Sequence, residues 1–280
     1  FVGSDLIDPT NDYYGEYTYE STTNSLDLIA QGDIDLGFNT TWYWAVLPYN
    51  TAGSPDPTGM TVFRFTTLPD PTIVALPHEE YFDDVTAPAL PYGWSAYVNS
   101  STTGALVATY NSSTYAQSAP NSVRLYNSTD ASADLRLITP PIDASIPLNT
   151  IKLKFYARSS SAGYPLLIGT VNAPDSTGTF TQIASIDLTS TKTEYIYSLE
   201  DYVGTDQYIC FKHGMGGTYR GLYVDNVQLI ELLANDLAAT AITGPSYLEA
   251  GETYEFTITV SNEGTADQNS YAVNLKEGTN

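Results

Sequence analysis

Five carboxylates carry the strongest chemical signal in this 280-residue sequence. Glu79, Glu80, Asp83 and Asp84 crowd together, and Asp225 stands far downstream in Leu222-Tyr223-Val224-Asp225-Asn226-Val227. Paired carboxylates can act as general acid and base, as in glycosidases, and Glu79 or Glu80 against Asp225 can be drawn as such a pair. Nothing in the spacing selects that chemistry. At a net charge of -22, carboxylate pairs arise readily by chance. The same oxygens suit a divalent cation, since calcium takes roughly six to eight of them. The plain alternative is a solvated acidic surface.

Other candidates are weaker. His78, His213 and one cysteine fall short of a typical zinc ligand set, and no H-E-x-x-H occurs. Cys210 sits in Tyr208-Ile209-Cys210-Phe211, which reads as a buried strand, so it is expected to be a small core residue and not a nucleophile. His213-Gly214-Met215-Gly216-Gly217 has no following lysine and no strand-to-helix setting, so it reads as a loop before the last strand. Tyrosine is abundant, with 23 residues. Tyr and Trp offer flat apolar faces with a polar rim, suited to sugar rings and to protein partners. They gather at Tyr13, Tyr14, Tyr17 and Tyr19, and again at Tyr92, Trp94, Tyr97, Tyr110 and Tyr115. Tyr92 and Trp94 are the candidate ligand-binding residues. The competing reading is packing, because strands favour aromatics in any case.

Strands must position these groups. Thr41 to Val46, Thr61 to Phe65, Ile151 to Tyr156, Tyr208 to Lys212, Leu222 to Val227 and Tyr254 to Val260 are short and rich in β-branched and aromatic residues. Each is bounded by Gly, Pro, Asn, Asp or Ser. No amphipathic helix of three turns is evident, so an all-β chain of several sandwiches is predicted. The 32 Asp and Glu against 10 Lys and Arg argue against a nucleic-acid partner, which needs a basic surface. They equally disfavour an anionic membrane surface. No apolar run approaches ~18 residues, so no membrane insertion is expected. The chain opens without a basic segment leading into an apolar one, and Phe1 is expected to be an internal or processed start.

Proline punctuation suggests the boundaries. Leu68-Pro69-Asp70-Pro71 follows a strand and suits a stiff linker over residues 69–77. A second boundary falls near residue 233, where one alternating segment ends and another begins. The pieces are 1–68, 78–232 and 233–280, the outer two too short for complete sandwiches of immunoglobulin type.

The first piece resembles the C-terminal part of a fibronectin type III domain, through Leu36-Gly37-Phe38-Asn39-Thr40-Thr41-Trp42-Tyr43-Trp44 and Val62-Phe63-Arg64-Phe65-Thr66-Thr67. Tyr43 or Trp44 is expected to fill its core. The middle piece resembles the bacterial jelly-roll modules called cleaved adhesin or choice-of-anchor J domains, relatives of the MAM sandwich. The carrying motifs are Glu80-Tyr81-Phe82-Asp83-Asp84 with Pro91-Tyr92-Gly93-Trp94, then Pro120-Asn121-Ser122-Val123, and finally Gly221-Leu222-Tyr223-Val224-Asp225-Asn226-Val227. The last piece looks like the first half of an Ig-like adhesion module. The whole is therefore expected to be tandem β-sandwiches, a central jelly roll flanked by Ig- and fibronectin-like modules.

The resemblance implies a structural calcium bound by Glu80, Asp83 and Asp225, with Asn226 behind them. It also implies a non-enzymatic adhesion or scaffold segment of a large secreted or surface-attached bacterial protein. Its partner would be a host or matrix protein or a glycan. The alternatives are a carbohydrate-binding accessory region of an extracellular hydrolase, or a fibre subunit that self-associates through open sheet edges.

Overall fold

The computed structural model describes residues 2–3, 21, 23, 35–48, 50–53 and 60–273. The chain divides into two compact units, Phe1–Pro71 and Thr72–Asn280. The tyrosines at 13, 14, 17 and 19 lie outside the described residues.

In the first unit, β1 (Val2–Gly3), β2 (Thr41–Ala45) and β3 (Val62–Thr66) form an antiparallel sheet in that order. The aromatic that fills its interior is Trp42, not Tyr43 or Trp44 as the sequence suggested. The Trp42 Nε1–H donates to the Leu36 carbonyl at 2.7 Å, which satisfies the one polar group a buried indole carries. Trp44, two residues on, stacks on its cross-strand neighbour Phe63 at 4.7 Å and remains at the surface.

The second unit is built on β4 (His78–Glu80), β5 (Ser95–Asn99), β6 (Leu106–Asn111), β7 (Asn121–Tyr126), β8 (Asp134–Ile138) and β9 (Ile151–Ser159). It continues with β10 (Tyr164–Val171), β11 (Phe180–Leu188), β12 (Thr193–Ser198), β13 (Tyr208–His213) and β14 (Gly221–Glu231). One sheet runs β11-β10-β13-β8-β5, the other β12-β9-β14-β7-β6, with β4 also paired to β14. The pairs β7 with β14, β8 with β13, β9 with β12 and β10 with β11 are nested and antiparallel. This is a rolled-up hairpin of eight strands, a jelly roll, as the motif order implied.

Alternation along each strand supplies the core. Leu125, Leu135, Leu137, Leu153, Phe155, Leu166, Ile168, Phe211, Leu222 and Val224 all lie between the sheets, with Phe155 edge-on to Phe211 at 5.0 Å. The residues between them point to the two outer faces.

Ile73 is buried, bridges Ile142, donates its N–H to the Pro141 carbonyl and accepts from Asp143 N–H. Ile73 thus ties the stretch after Pro71 to the jelly roll. Residues 233–273 likewise belong to the second unit. There β15 (Leu237–Thr243) and β16 (Thr257–Asn262) form a two-stranded sheet, and buried Lys152 reaches Asp236 at 2.7 Å and Glu263 at 3.2 Å. Among the described residues, no helix is long and apolar enough to cross a membrane.

Candidate functional site

Strand β14 changes partner midway. Gly221–Val224 pair with β7, whereas Val227–Leu229 pair with β4. The register with β9 shifts between Asp225 and Gln228, and Asn226 takes a left-handed φ of 47°. A bulge here re-aims Asp225 toward the edge that β7 and β4 leave open. The loop before β7 fills that edge. Gln117 and Ser118 donate backbone N–H groups to Asp225 Oδ2 at 2.6 and 3.1 Å, Asn226 N–H donates to Oδ1, and Ser118 Oγ donates to Asn226 Oδ1. Burial pushes the Asp225 pKa up to about 7, and the nearby charge of Asp83 adds to the rise.

The opening motif packs beside it. Asp83 Oδ1 accepts from Asn121 N–H at 2.9 Å, and Asn121 Nδ2 donates to the Phe82 and Val85 carbonyls. Those two bonds fix the amide orientation and leave Asn121 Oδ1 buried with no donor. Glu80 Oε1 accepts from Phe82 N–H at 2.6 Å. Burial raises its pKa, and the charges of Asp84 and Asp83 raise it further. Glu79 stays outside, bonded to Tyr81 and Gln228.

Glu80, Asp83 and Asp225 each commit an oxygen to a backbone N–H. Among the described residues, no three His, Cys, Asp or Glu lie close enough to hold a metal between them. The donor chemistry is nevertheless all oxygen. Asn121 Oδ1 is a buried acceptor with nothing to accept, and a hard cation would satisfy it. Sequence reasoning passed over Asn121, although an amide in Pro120-Asn121-Ser122, at the mouth of a strand, was a visible sign.

The proposed aromatic pair separates. Tyr92 is 51% exposed, whereas Trp94 is buried in the core and edge-on to Phe82 at 4.9 Å. Trp94 therefore presents no face to a ligand, and its role as a binding residue is corrected to packing. Cys210 is fully buried, and burial drives its thiol up to about 12. His213 is also buried, its pKa pushed down to about 4, and its Nδ1 accepts from Met215 N–H. Neither is poised for catalysis.

A second region emerges on the outer face of the six-stranded sheet. Cross-strand register aligns Arg124 on β7, Tyr223 on β14 and Arg158 on β9. Lys192 precedes Thr193, the partner of Ala157, and so extends the row. Arg124 lies 3.9 Å over the Tyr126 ring and 5.2 Å over Tyr110. Tyr115 stacks on Tyr223 at 3.9 Å, and Arg158 covers Tyr115 at 5.0 Å. Arg158 and Lys192 also hold the loop, through the carbonyls of Thr114 and Ala116. Tyr110 remains 37% exposed at the edge of this arrangement. The sequence signal was available: cations and tyrosines alternate with apolar residues along Val123 to Tyr126 and Ile151 to Arg158, which marks one outward face.

No protein-family model matches the chain, and no curated protein does. Among solved structures, it is similar to a cleaved adhesin domain of Lys-gingipain from Porphyromonas gingivalis, with 16% identity and a TM-score of 0.44 over 56% of this chain and 99% of that one. A second cleaved adhesin domain of Lys-gingipain gives 14% identity and 0.43 over 55% and 97%. A variant of the family 29 carbohydrate-binding module CBM29-2 complexed with mannohexaose gives 13% and 0.37 over 55% and 92%. The strand order, and not these likenesses, defines the fold described above.

Proposed function

We propose that this chain is a non-enzymatic binding segment of an extracellular or cell-surface protein, and that it adheres to glycan. The observation that carries this reading is the outer face of the six-stranded sheet, where partly exposed Tyr110 lies beside the Arg124 guanidinium and against the stacked Tyr115 and buried Tyr223. Rings stack on the apolar faces of sugars, and guanidinium groups donate to their oxygens. Exposed Tyr92 is a further contact of the same kind. Retention of the protein on a panel of immobilised polysaccharides tests it. At least one glycan should retain the native chain, and Tyr110→Ala should weaken retention by about tenfold. Turnover of any glycan that is lost in Asp225→Asn would sink the reading.

The orphaned Asn121 Oδ1 favours a second, structural element: a calcium ion between the opening motif and β7, with Asp83 and Asn121 as ligands. Such an ion would tie the opening motif to the start of β7. Calcium should then raise Tm in proportion to its occupancy, by linkage of binding to folding. Asp83→Asn should abolish the rise. An identical Tm in calcium and in chelator removes the ion from the account.

A further inference from the structure

The glycan-binding reading leaves open what distinguishes the ligand, and the charge distribution supplies an answer. The chain has only 10 Lys and Arg against 32 acids. Five of the cations, Arg124, Lys152, Lys154, Arg158 and Lys192, lie on the outer face of the six-stranded sheet or at its border. Two of them are neutralised, Lys152 by Asp236 and Glu263 and Lys154 by Glu194. Arg124, Arg158 and Lys192 form the cross-strand row, and no carboxylate among the described residues pairs with any of them. Asp225, on the same face, is satisfied by backbone N–H groups instead.

Arg124 is the sharpest case. Its guanidinium is held against two tyrosine rings, and its Nε–H is buried without an acceptor. Stacking fixes the plane of the group without neutralising its charge. A fixed, unpaired guanidinium suits a carboxylate or sulfate, which it can bind through two parallel hydrogen bonds. Neighbouring Tyr110 offers a partly exposed ring beside it.

We infer that Arg124 and Tyr110, beside the buried Tyr223, form a subsite for an acidic polysaccharide, with Arg124 binding its carboxylate or sulfate groups and Tyr110 stacking on its sugar ring. This rests on the glycan-binding reading and narrows it. The overall charge of -22 makes the test stringent, because indiscriminate binding of polyanions is opposed by the rest of the molecule.

The experiment measures affinity of the full 280-residue chain for polygalacturonate, heparin and a neutral mannan, at low and high salt. The acidic polymers should bind, the mannan far more weakly, and added salt should weaken binding. Polygalacturonate carries carboxylates alone and heparin carries carboxylates and sulfates, so binding of heparin without polygalacturonate assigns sulfate as the preferred group. Arg124→Gln should lower affinity for the acidic polymer by about tenfold or more, Arg124→Lys by less, and Arg220→Gln, whose guanidinium stacks on Tyr164 instead, not at all. Melting curves check that each variant folds. If Arg124→Gln does not fold, the salt dependence of the native chain decides, and salt-independent binding overturns the inference. Mannan binding that Arg124→Gln leaves unchanged, without binding of either acidic polymer, overturns the inference while the glycan reading stands. Binding of none of the three, nor of any other glycan in the panel, overturns both.

Discussion

The two outer faces of the jelly roll solve the same problem in opposite ways. On the five-stranded sheet, Ile138, Val171 and Cys210 point outward yet are fully buried, because Tyr97, Phe180 and Tyr208 close over them as a second small core. Its two cations share one carboxylate: Arg136 and Lys212 both bond Asp134, Lys212 at 3.0 Å. On the six-stranded sheet, the outward residues are tyrosines and cations, and the row through Arg124 and Arg158 has no such carboxylate. One face is sealed, and its cations meet a carboxylate. The other is ordered by stacking and left charged. The contrast shows that outward alternation in a β-sandwich does not by itself make a binding surface. What matters is whether neighbouring side chains cap and neutralise the face.

The largest expected effect tests the sealing. Ile138→Ala should cost about 2–5 kcal/mol in chemical denaturation, as a core truncation does, although the residue lies on an outer face. Tyr110→Ala on the opposite face should cost under about 1 kcal/mol. Equal losses would dissolve the distinction between the two faces.

Acid titration separates the sheets next. His213 ends a strand of the five-stranded sheet, and its folded pKa of about 4 lies below the ordinary value of 6.5. Its stabilising contribution is present above pH 6.5 and is lost as pH falls toward 4. Asp225 lies in the six-stranded sheet, and its folded pKa of about 7 exceeds 3.8, so its contribution is present at low pH and lost as pH rises through 7. The two oppose each other across the same window. Melting in chelator should therefore vary little with pH in the native chain. In Asp225→Asn, stability should fall by about 2 kcal/mol on acidification through that window, and in His213→Asn it should rise by a similar amount. Parallel curves for all three proteins would contradict the assignment.

A smaller effect concerns the shared carboxylate. Asp134→Asn leaves Arg136 and Lys212 side by side without their partner, and should cost about 1–2 kcal/mol, partly recovered by salt. Arg124→Gln should change stability by less, since no ion pair is broken there. A larger loss from Arg124→Gln would mean that stacking on Tyr126 and Tyr110 is structural first.

Much of this was legible in the amino-acid order. Period-two alternation in Ile151 to Tyr156 and Tyr208 to Lys212 fixed those segments as strands with one buried face, because a pleated chain sends successive side chains to opposite sides. The crowding of Glu79 to Asp84 was visible in the sequence, whereas its nearness to Asp225 comes from the pairing of β4 with β14, through which the Asp83 charge acts on both Glu80 and Asp225. Less legible were Trp94 and Asn121. Tyr92 and Trp94 are near neighbours of the same chemical kind, and only the contact with Phe82 buries one of them. Asn121 gains its meaning from carbonyls at residues 82 and 85, which local sequence does not connect to it.

By itself, the sequence determined the all-β character, the negative charge and which side chains leave each strand on the same side, since all three follow from residue type and local backbone geometry. Tertiary structure decided the rest. Arg136 and Arg124 look alike along the chain, each in a short strand between apolar residues. They differ partly in local order, since Asp134 stands two residues before Arg136 on the same strand face and Ser122 holds that place before Arg124. Tertiary structure adds the rest: strand register sets Lys212 beside Arg136, and the loop before β7 meets Arg158 and Lys192, contacts that span tens of residues and that no local pattern encodes.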